Sequence, residues 1–432
     1  RDSSTSRGLG DVYKRQLVQY LQLALTRAGY PVELDGIFGT DTCKALREFR
    51  REYAMHGETV GCYVDQSVWK QLIPYLKGYV THVIVKGDTI WNIAGAYGTT
   101  QEAVLRANPS IQVNALQPGM RIYVPLAFPL VSEEVAYTSI LLAFIIEGLR
   151  IRYPFLTIGN IGTSVMEKEI PYIRIGTGAT EVFYNASFHA NEWITTPLLL
   201  KFAEEYASAY AQNGIINGEI ASSLYDTYSL YLVPMVNPDG VDLVNGVLGN
   251  ARYEQQAKII AAQYPDIPYP DGWKANIDGV DLNLQFPAGW EQARTIKFSQ
   301  GYTTPAPRDY VGEAPLTAVE SINVYEFTRM HDFRLIIAYH TQGEVIYCKY
   351  MDYEPDKSRQ IAQYFGNVSG YAVEETPTES GYAGYKDWFI QEYDRPGYTI
   401  EAGLGVNPLS MEQFPQIYRD NYYILVGGMT QI

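Results

Sequence analysis

Positive charge is scarce in this 432-residue chain: 33 Lys plus Arg stand against 48 Asp plus Glu, a formal net charge of −15. Electrostatic capture of nucleic acid or of an anionic membrane is therefore excluded as a working mode. Cysteine is scarcer still, with only Cys43, Cys62 and Cys348, which excludes a disulfide framework and any Cys-rich zinc module. Cys43 and Cys62 could bridge in an oxidising compartment, but the expectation is free thiols. Long apolar runs are missing too. Tyr137 to Ile146 is about half the roughly 18 residues a membrane helix needs and runs into Glu147, so no membrane insertion is expected.

What is there is a folding composition, 47% hydrophobic and 19% charged. At roughly 100 to 200 residues per domain, the length allows two to four domains. Residues 1–16, RDSSTSRGLGDVYKRQ, are polar and lack an apolar h-region. They are set aside as a leader of uncertain origin, on which no export signal can be read.

Residues 17–77 have apolar positions at helical spacing, Leu17, Leu21, Leu25, Leu46 and Phe49, around a turn-rich stretch from Asp35 to Thr40. This segment, with DGIFGT and the closing VDQSVWKQL, resembles the three-helix peptidoglycan-binding domain appended to cell-wall hydrolases. Residues 79–126 read as strand, helix from about Ile90, helix from about Gln101, and a closing strand after Pro118 and Gly119. VKGDT, the Asn108–Pro109 pair and LQPGMRIYVP make this stretch similar to a LysM domain. That resemblance implies binding of N-acetylglucosamine-containing glycan near Gly87, Asp88, Thr89, Asn108 and Ile111. The plainer alternative is that Asp88 and Thr89 cap the first helix.

From residue 127 onward the pattern alternates. Strand-like runs cover 172–175, 182–186, 228–236, 334–339, 345–347 and 397–401, and helical patterns cover 137–150, 195–211 and 316–330. An α/β layer fold with a parallel or mixed sheet is expected, with chemistry at strand ends. Only five His occur, so each can be weighed. His189 follows a strand-like run and has Glu192 three positions on, while His340 ends the apolar run LIIAY. Two His and one Glu with a fourth position open form the ligand set of a catalytic zinc. His56, His82 and His331 have no such company and read as structural or surface. Glu401, ending GYTIE, is the candidate base toward water acidified by that metal. Asp281 in GVDLN is the candidate carboxylate behind a ligand His.

The order HxxE, NPDG, WKAN, VDLN, His340, TIEAG resembles the carboxypeptidase A-like zinc peptidases. The resemblance implies a mixed sheet flanked by helices, one Zn²⁺ held by His189, Glu192 and His340, Glu401 as general base and proton shuttle, and Asp281 behind His189. It further implies Lys274 at the oxyanion position, where the family carries Arg, and Asn283 at the substrate. One departure concerns the position after Asn283, where carboxypeptidases hold the substrate's terminal carboxylate with Arg and this chain has Leu284. Without its cation a buried carboxylate costs several kcal/mol. The family's active-site tyrosine stays open between Tyr382 and Tyr385. Taken together, WKANIDGVDLNLQFPAGWE, SGYAGYKDWFI and the two N-terminal modules resemble the γ-D-glutamyl-L-diamino acid endopeptidases of spore-forming bacteria. The implied activity is hydrolysis between γ-linked D-Glu and the diamino acid, meso-diaminopimelate, of peptidoglycan stem peptides. The implied partners are glycan strands and stem peptides, and the implied location is the cell wall or spore. Two rivals stand beside it: a conventional metallocarboxypeptidase using Arg308 or Arg395 in place of the missing Arg, and a catalytically silent wall-binding protein.

Overall fold

A computed structural model of the chain describes residues 10–53 and 61–432, so His56 lies outside the described residues. The chain divides into two compact units, residues 1–135 with 140–156, and residues 136–139 with 157–432.

The first unit opens with three helices, α1 (Gly10–Arg27), α2 (Thr40–Glu52) and α3 (Gln66–Lys77). Helix α1 starts inside the stretch set aside as a leader, because nothing after Gly10 is a helix breaker. Leu21, Leu25, Leu46, Phe49, Leu72 and Leu76 form the buried contact between the helices. Gln22 is buried and holds the turn expected between α1 and α2. Its Oε1 accepts from the Gly36 amide at 2.9 Å and its Nε2 donates to Asp35 at 2.7 Å and Thr42 at 3.0 Å. The expectation of free thiols is corrected: Cys43 and Cys62 are disulfide-bonded, with Cα atoms 5.2 Å apart. The start of α2 and the approach to α3 bring them within bridging reach, which spacing in sequence could not reveal.

Next come β1 (Tyr79–Val83), α4 (Ile90–Ala96), α5 (Gln101–Ala107) and β2 (Arg121–Pro125), the strands pairing antiparallel. Ile84, Ile90, Ile93, Val104, Ile122 and Val124 make a small separate core. Helix α6 (Ser139–Arg152) belongs almost wholly to this unit. Gly148 allows it to pass the end of α3, where a Cβ would lie 2.2 Å from the Lys77 carbonyl oxygen. The Arg152 guanidinium donates to the Gly78 carbonyl at 3.0 Å and the Leu126 carbonyl at 2.7 Å.

The second unit is built on one eight-stranded mixed sheet. In chain order the strands are β3 (Thr157–Thr163), β4 (Glu169–Ile175), β5 (Thr180–Ala186), the small hairpin β6 (Ile215–Ile216) and β7 (Glu219–Ile220), β8 (Tyr228–Val233), β9 (Leu335–His340), β10 (Val345–Tyr347), β11 (Ala372–Glu374) and β12 (Gly397–Glu401). The large sheet runs β11-β10-β12-β9-β5-β8-β4-β3. Its centre, β12-β9-β5-β8, is parallel, and β4, β3 and β10 pair antiparallel to their inner neighbours. Every residue of β9 is buried, as expected of a parallel strand covered on both faces. Among the described residues no helix is long and apolar enough to cross a membrane.

Candidate active site

Three adjacent parallel strands deliver the chemistry. Glu401 pairs with His340 in register on β12 and β9, and Ala186 on β5 pairs with Tyr339, so the carboxyl ends of all three strands lie side by side. After β5 the chain leaves the sheet through Ser187, in the left-handed region at φ 53°. The Ser187 amide donates to Thr195 Oγ1 at 3.1 Å, and that hydroxyl donates to the Glu192 carbonyl at 2.7 Å. This knot of short polar side chains folds the 189–192 segment back over the strand ends.

His189 Nδ1 lies 3.0 Å from Glu192 Oε1, His340 Nδ1 lies 3.0 Å from Glu192 Oε2, and the two Nδ1 atoms face each other at 3.2 Å. His340 is 1% exposed, and its Nε2 is buried with no hydrogen-bond partner. His189 Nε2 meets Asp281 Oδ1 at 3.1 Å, and Asp281 is itself fixed by the amides of Asn283 and Asp309. Glu192 also receives Lys274 Nζ at 2.8 Å and the Thr341 amide at 3.2 Å.

The charges are strongly coupled. Burial alone would lower His189, but Glu192 and Asp281 outweigh it and push it up to about 9. Burial would raise Asp281 and Glu192, yet His189 holds both well below the usual carboxylate range, aided by Lys274. Glu401 goes the other way. Burial raises it, Glu192 adds to the rise, and the opposing pull of His340 and Lys274 does not cancel it. A carboxyl raised in this way holds a proton more readily than an exposed one, as a group that takes and returns a proton must.

The three groups could together hold a metal ion. Tetrahedral ligands about 2.0 to 2.1 Å from zinc stand roughly 3.3 Å apart, close to the 3.0 to 3.2 Å separations seen here. Two ring nitrogens facing each other cannot both keep a hydrogen between them, so at least one presents its lone pair to the space beside the Glu192 carboxylate. The donor set fits zinc.

The chain matches the zinc carboxypeptidase family over residues 143–423 and the LysM domain over residues 82–125. The chain belongs to the zinc carboxypeptidase family. It is 44% identical over 305 residues to gamma-D-glutamyl-L-diamino acid endopeptidase 1 of Lysinibacillus sphaericus, covering 70% of this chain and 75% of that one. It is 42% identical over 278 residues to the uncharacterized protein YqgT of Bacillus subtilis (strain 168), covering 63% and 72%. In fold it is similar to carboxypeptidase A from Helicoverpa armigera, with a TM-score of 0.54 at 18% identity over 69% of this chain and 73% of that chain.

As in sequence, so in space, this zinc carboxypeptidase-family chain brings His189, Glu192, His340, Lys274, Asp281 and Glu401 to one place. They line or adjoin a cavity of about 190 Å³ that opens beside a larger groove of about 1020 Å³. Asn283 lines the cavity, but its Oδ1 is taken by the Tyr385 amide at 3.0 Å. Leu284 sits in the wall, packed with Trp290, Val311 and Ala383. Of the tyrosines left open, Tyr385 is buried with its hydroxyl 2.8 Å from Thr328 Oγ1, and Tyr382 packs against apolar neighbours. Neither lines the cavity, whereas Tyr347 on β10 does. Arg395 is elsewhere, donating to the Phe333 carbonyl and paired with Asp332.

Several participants escaped the sequence reading. Asn407 donates to Glu192 Oε1 at 3.4 Å and accepts from Thr341 Oγ1 at 2.7 Å. Lys386 and Asp387 form a buried pair at 2.7 Å on the cavity wall. Lys386 and Asp387 stand inside SGYAGYKDWFI without having been singled out there, and an asparagine before proline reads as an ordinary turn.

In the first unit the polar motif residues are mostly occupied. Thr89 caps α4, its Oγ1 accepting from the Asn92 amide at 3.1 Å, while Asp88 instead binds His82 at 2.9 Å and the Val85 amide at 2.8 Å. The Asn108 side chain clasps β2 through the Tyr123 amide at 2.9 Å and carbonyl at 2.6 Å. Ile111 is half-buried against the small core, and Gly87 stands in the left-handed region at φ 97°. His82 and His331 are structural, the latter bonded to the Phe327 carbonyl at 2.7 Å.

Proposed function

We propose that the chain hydrolyses the amide between γ-linked D-Glu and the diamino acid, meso-diaminopimelate, in peptidoglycan stem peptides. Its N-terminal modules hold it to the wall polymer. The observation that carries this reading is the intact site at the strand ends with Leu284 in its wall, where a carboxypeptidase needs a cation for the chain terminus. The neighbouring ammonium of Lys386 is committed to Asp387 and to the Lys349 carbonyl at 2.6 Å. The name of the Lysinibacillus sphaericus relative supports the same substrate.

His189, Glu192 and His340 would hold one zinc, whose chemistry there is Lewis acidity toward a carbonyl oxygen and toward water. Asp281 keeps His189 in one tautomer and orientation. Glu401 takes a proton from the attacking water and returns it to the leaving amine. Lys274, anchored on Glu192, offers positive charge to the oxygen of the tetrahedral species. In the wall-binding part, the LysM loops around Gly87 and Ile111 are assigned to glycan and the three-helix domain to peptidoglycan. Linkage of two weak modules raises the local concentration of enzyme at the polymer.

The test is mass spectrometry of products from L-Ala-γ-D-Glu-meso-diaminopimelate-D-Ala with zinc-loaded protein. Release of L-Ala-D-Glu together with diaminopimelate-D-Ala is expected. Loss of D-Ala alone would make the chain a carboxypeptidase.

A further inference from the structure

A γ-linkage differs from an ordinary peptide bond in one charged feature: the α-carboxylate of the D-glutamyl residue remains free, separated from the scissile carbonyl by three carbons. An enzyme that reads the linkage needs a cation near the metal on the acyl side, with donors not already committed. Four cations lie around the cavity and groove, Lys274, Lys297, Arg308 and Lys386. Lys274 is anchored on Glu192 and already assigned to the oxyanion, Lys386 is paired with Asp387, and Lys297 is buried with its Nζ 2.6 Å from Asp309 Oδ1. Arg308 is different. Only its Nε is engaged among the described residues, at 2.6 Å from Asp309 Oδ2, and its side chain is 40% exposed.

The backbone fixes where that guanidinium stands. The Pro307 carbonyl accepts from the amides of Lys274 at 2.7 Å and Ala275 at 2.9 Å, and the Lys274 carbonyl accepts from the Ala190 amide at 3.0 Å. On its other side the Asp309 amide grips Asp281, the carboxylate behind His189. Arg308 is thus held between two segments that touch the ligand set, and it lines both the cavity and the groove. Two cations on one carboxylate leave a net positive charge there. The planar fork of a guanidinium matches a carboxylate in two hydrogen bonds, which an ammonium cannot copy.

We propose that Arg308 binds the free α-carboxylate of the γ-linked acyl residue, and so selects γ-D-glutamyl over acyl groups that lack it. This rests on the γ-D-glutamyl reading above. The test compares kcat/KM of the full chain on two muropeptides that differ at one group, D-Glu with its α-carboxylate and D-isoglutamine with a carboxamide there. The wild type should prefer the carboxylate by about 30-fold or more, the effect of leaving one member of a partly buried charge pair alone. Arg308→Gln should bring the ratio near one, mainly by slowing the carboxylate substrate, and Arg308→Lys should keep part of the preference. A ratio is insensitive to how much of a variant folds. If Arg308→Gln slows both substrates equally, the residue acts only through Asp309 and Asp281, and the assignment is overturned. If the wild type cuts both equally, the carboxylate is unread and the assignment falls while the γ-D-glutamyl reading stands. If it cuts neither while still cleaving D-Ala from the stem, both fall together.

Discussion

The two units treat their polar motif residues in opposite ways. In the LysM part, Thr89, Asp88 and Asn108 are consumed by the fold, as a helix cap, a loop clasp and a strand tie. In the peptidase unit, His340 keeps a buried Nε2 without a partner, and the half-buried Glu401 carboxylate lines the cavity. A domain of about 45 residues has little core, so its polar side chains must hold it together. A large sheet can leave buried polar groups unsatisfied where chemistry needs them. Similar motifs therefore mean structure in one unit and reactivity in the other.

The largest effects should come from the groups that line the cavity. Glu401→Gln should cut kcat by about 10²- to 10⁴-fold, the span of a lost proton shuttle. Retention of insoluble peptidoglycan should be unchanged. His189→Ala should remove hydrolysis and metal together, seen as loss of one zinc per chain by elemental analysis. If peptidoglycan retention vanished with it, the separation of the two units into binding and chemistry would be broken. Lys274→Ala should cost roughly 10²- to 10³-fold in kcat if its ammonium serves the oxyanion. A change confined to zinc affinity would instead limit Lys274 to steadying Glu192.

Much of this was legible in the sequence because it depends on periodicity and on rare residues. The apolar runs at 182–186, 334–339 and 397–401 match observed strands with ends that differ by two residues at most, since buried parallel strands are written as continuous hydrophobic stretches. With five His in the chain, the pairing of His189 with His340 stood out. The edge strands did not. TIGNIGT in β3 carries two glycines and faces solvent on part of its length, and β11 is three residues long, so neither has a clear period. Arg308 was legible only as a stand-in cation for a chain terminus, and Lys386 and Asn407 not at all; these residues reach the site through loops and a helix start, and a sequence does not say where a loop will lie. The Cys43–Cys62 bridge was missed for the same reason.

A buried acid with a raised pKa need not mark chemistry, and Glu320 sharpens the contrast within the peptidase unit itself. Burial raises it to about 7 from 4.5, but both oxygens have donors, the Val165 amide at 3.2 Å and Asn276 Nδ2 at 3.1 Å. Its folded pKa lies above its unfolded one, so the native state binds the extra proton between about pH 4.5 and 7. Stability should fall as pH rises through that window, by at most about 3 kcal/mol, and level off above it. Glu320→Gln copies the protonated acid. Urea midpoints from pH 5 to 8 should show a flatter profile for the variant, with kcat unmoved; a fall in kcat would give Glu320 a part in catalysis. Asn108→Ala should destabilise the LysM part by roughly 1 to 3 kcal/mol, because the Tyr123 amide and carbonyl lose their partner. Hydrolysis of a soluble muropeptide should be spared.

The smallest effect tests what is left for glycan once the LysM polar residues are spent. Trp91, one position into α4 and next to the Gly87–Thr89 loop, is 72% exposed. A tryptophan held in water contributes nothing to the fold there, and its ring offers a flat apolar face of the kind that covers a sugar. Burying about 60 Å² of that face gains roughly 1.5 kcal/mol, about tenfold in affinity, and the second module would soften the loss in the full chain. Trp91→Ala should therefore weaken binding to insoluble peptidoglycan between about three- and tenfold, with the melting temperature unchanged because no buried contact is lost. Equal binding by Trp91→Ala and Asn108→Ala proteins to that of the wild type would move wall attachment to the three-helix part, and leave LysM without the role its exposed aromatic suggests.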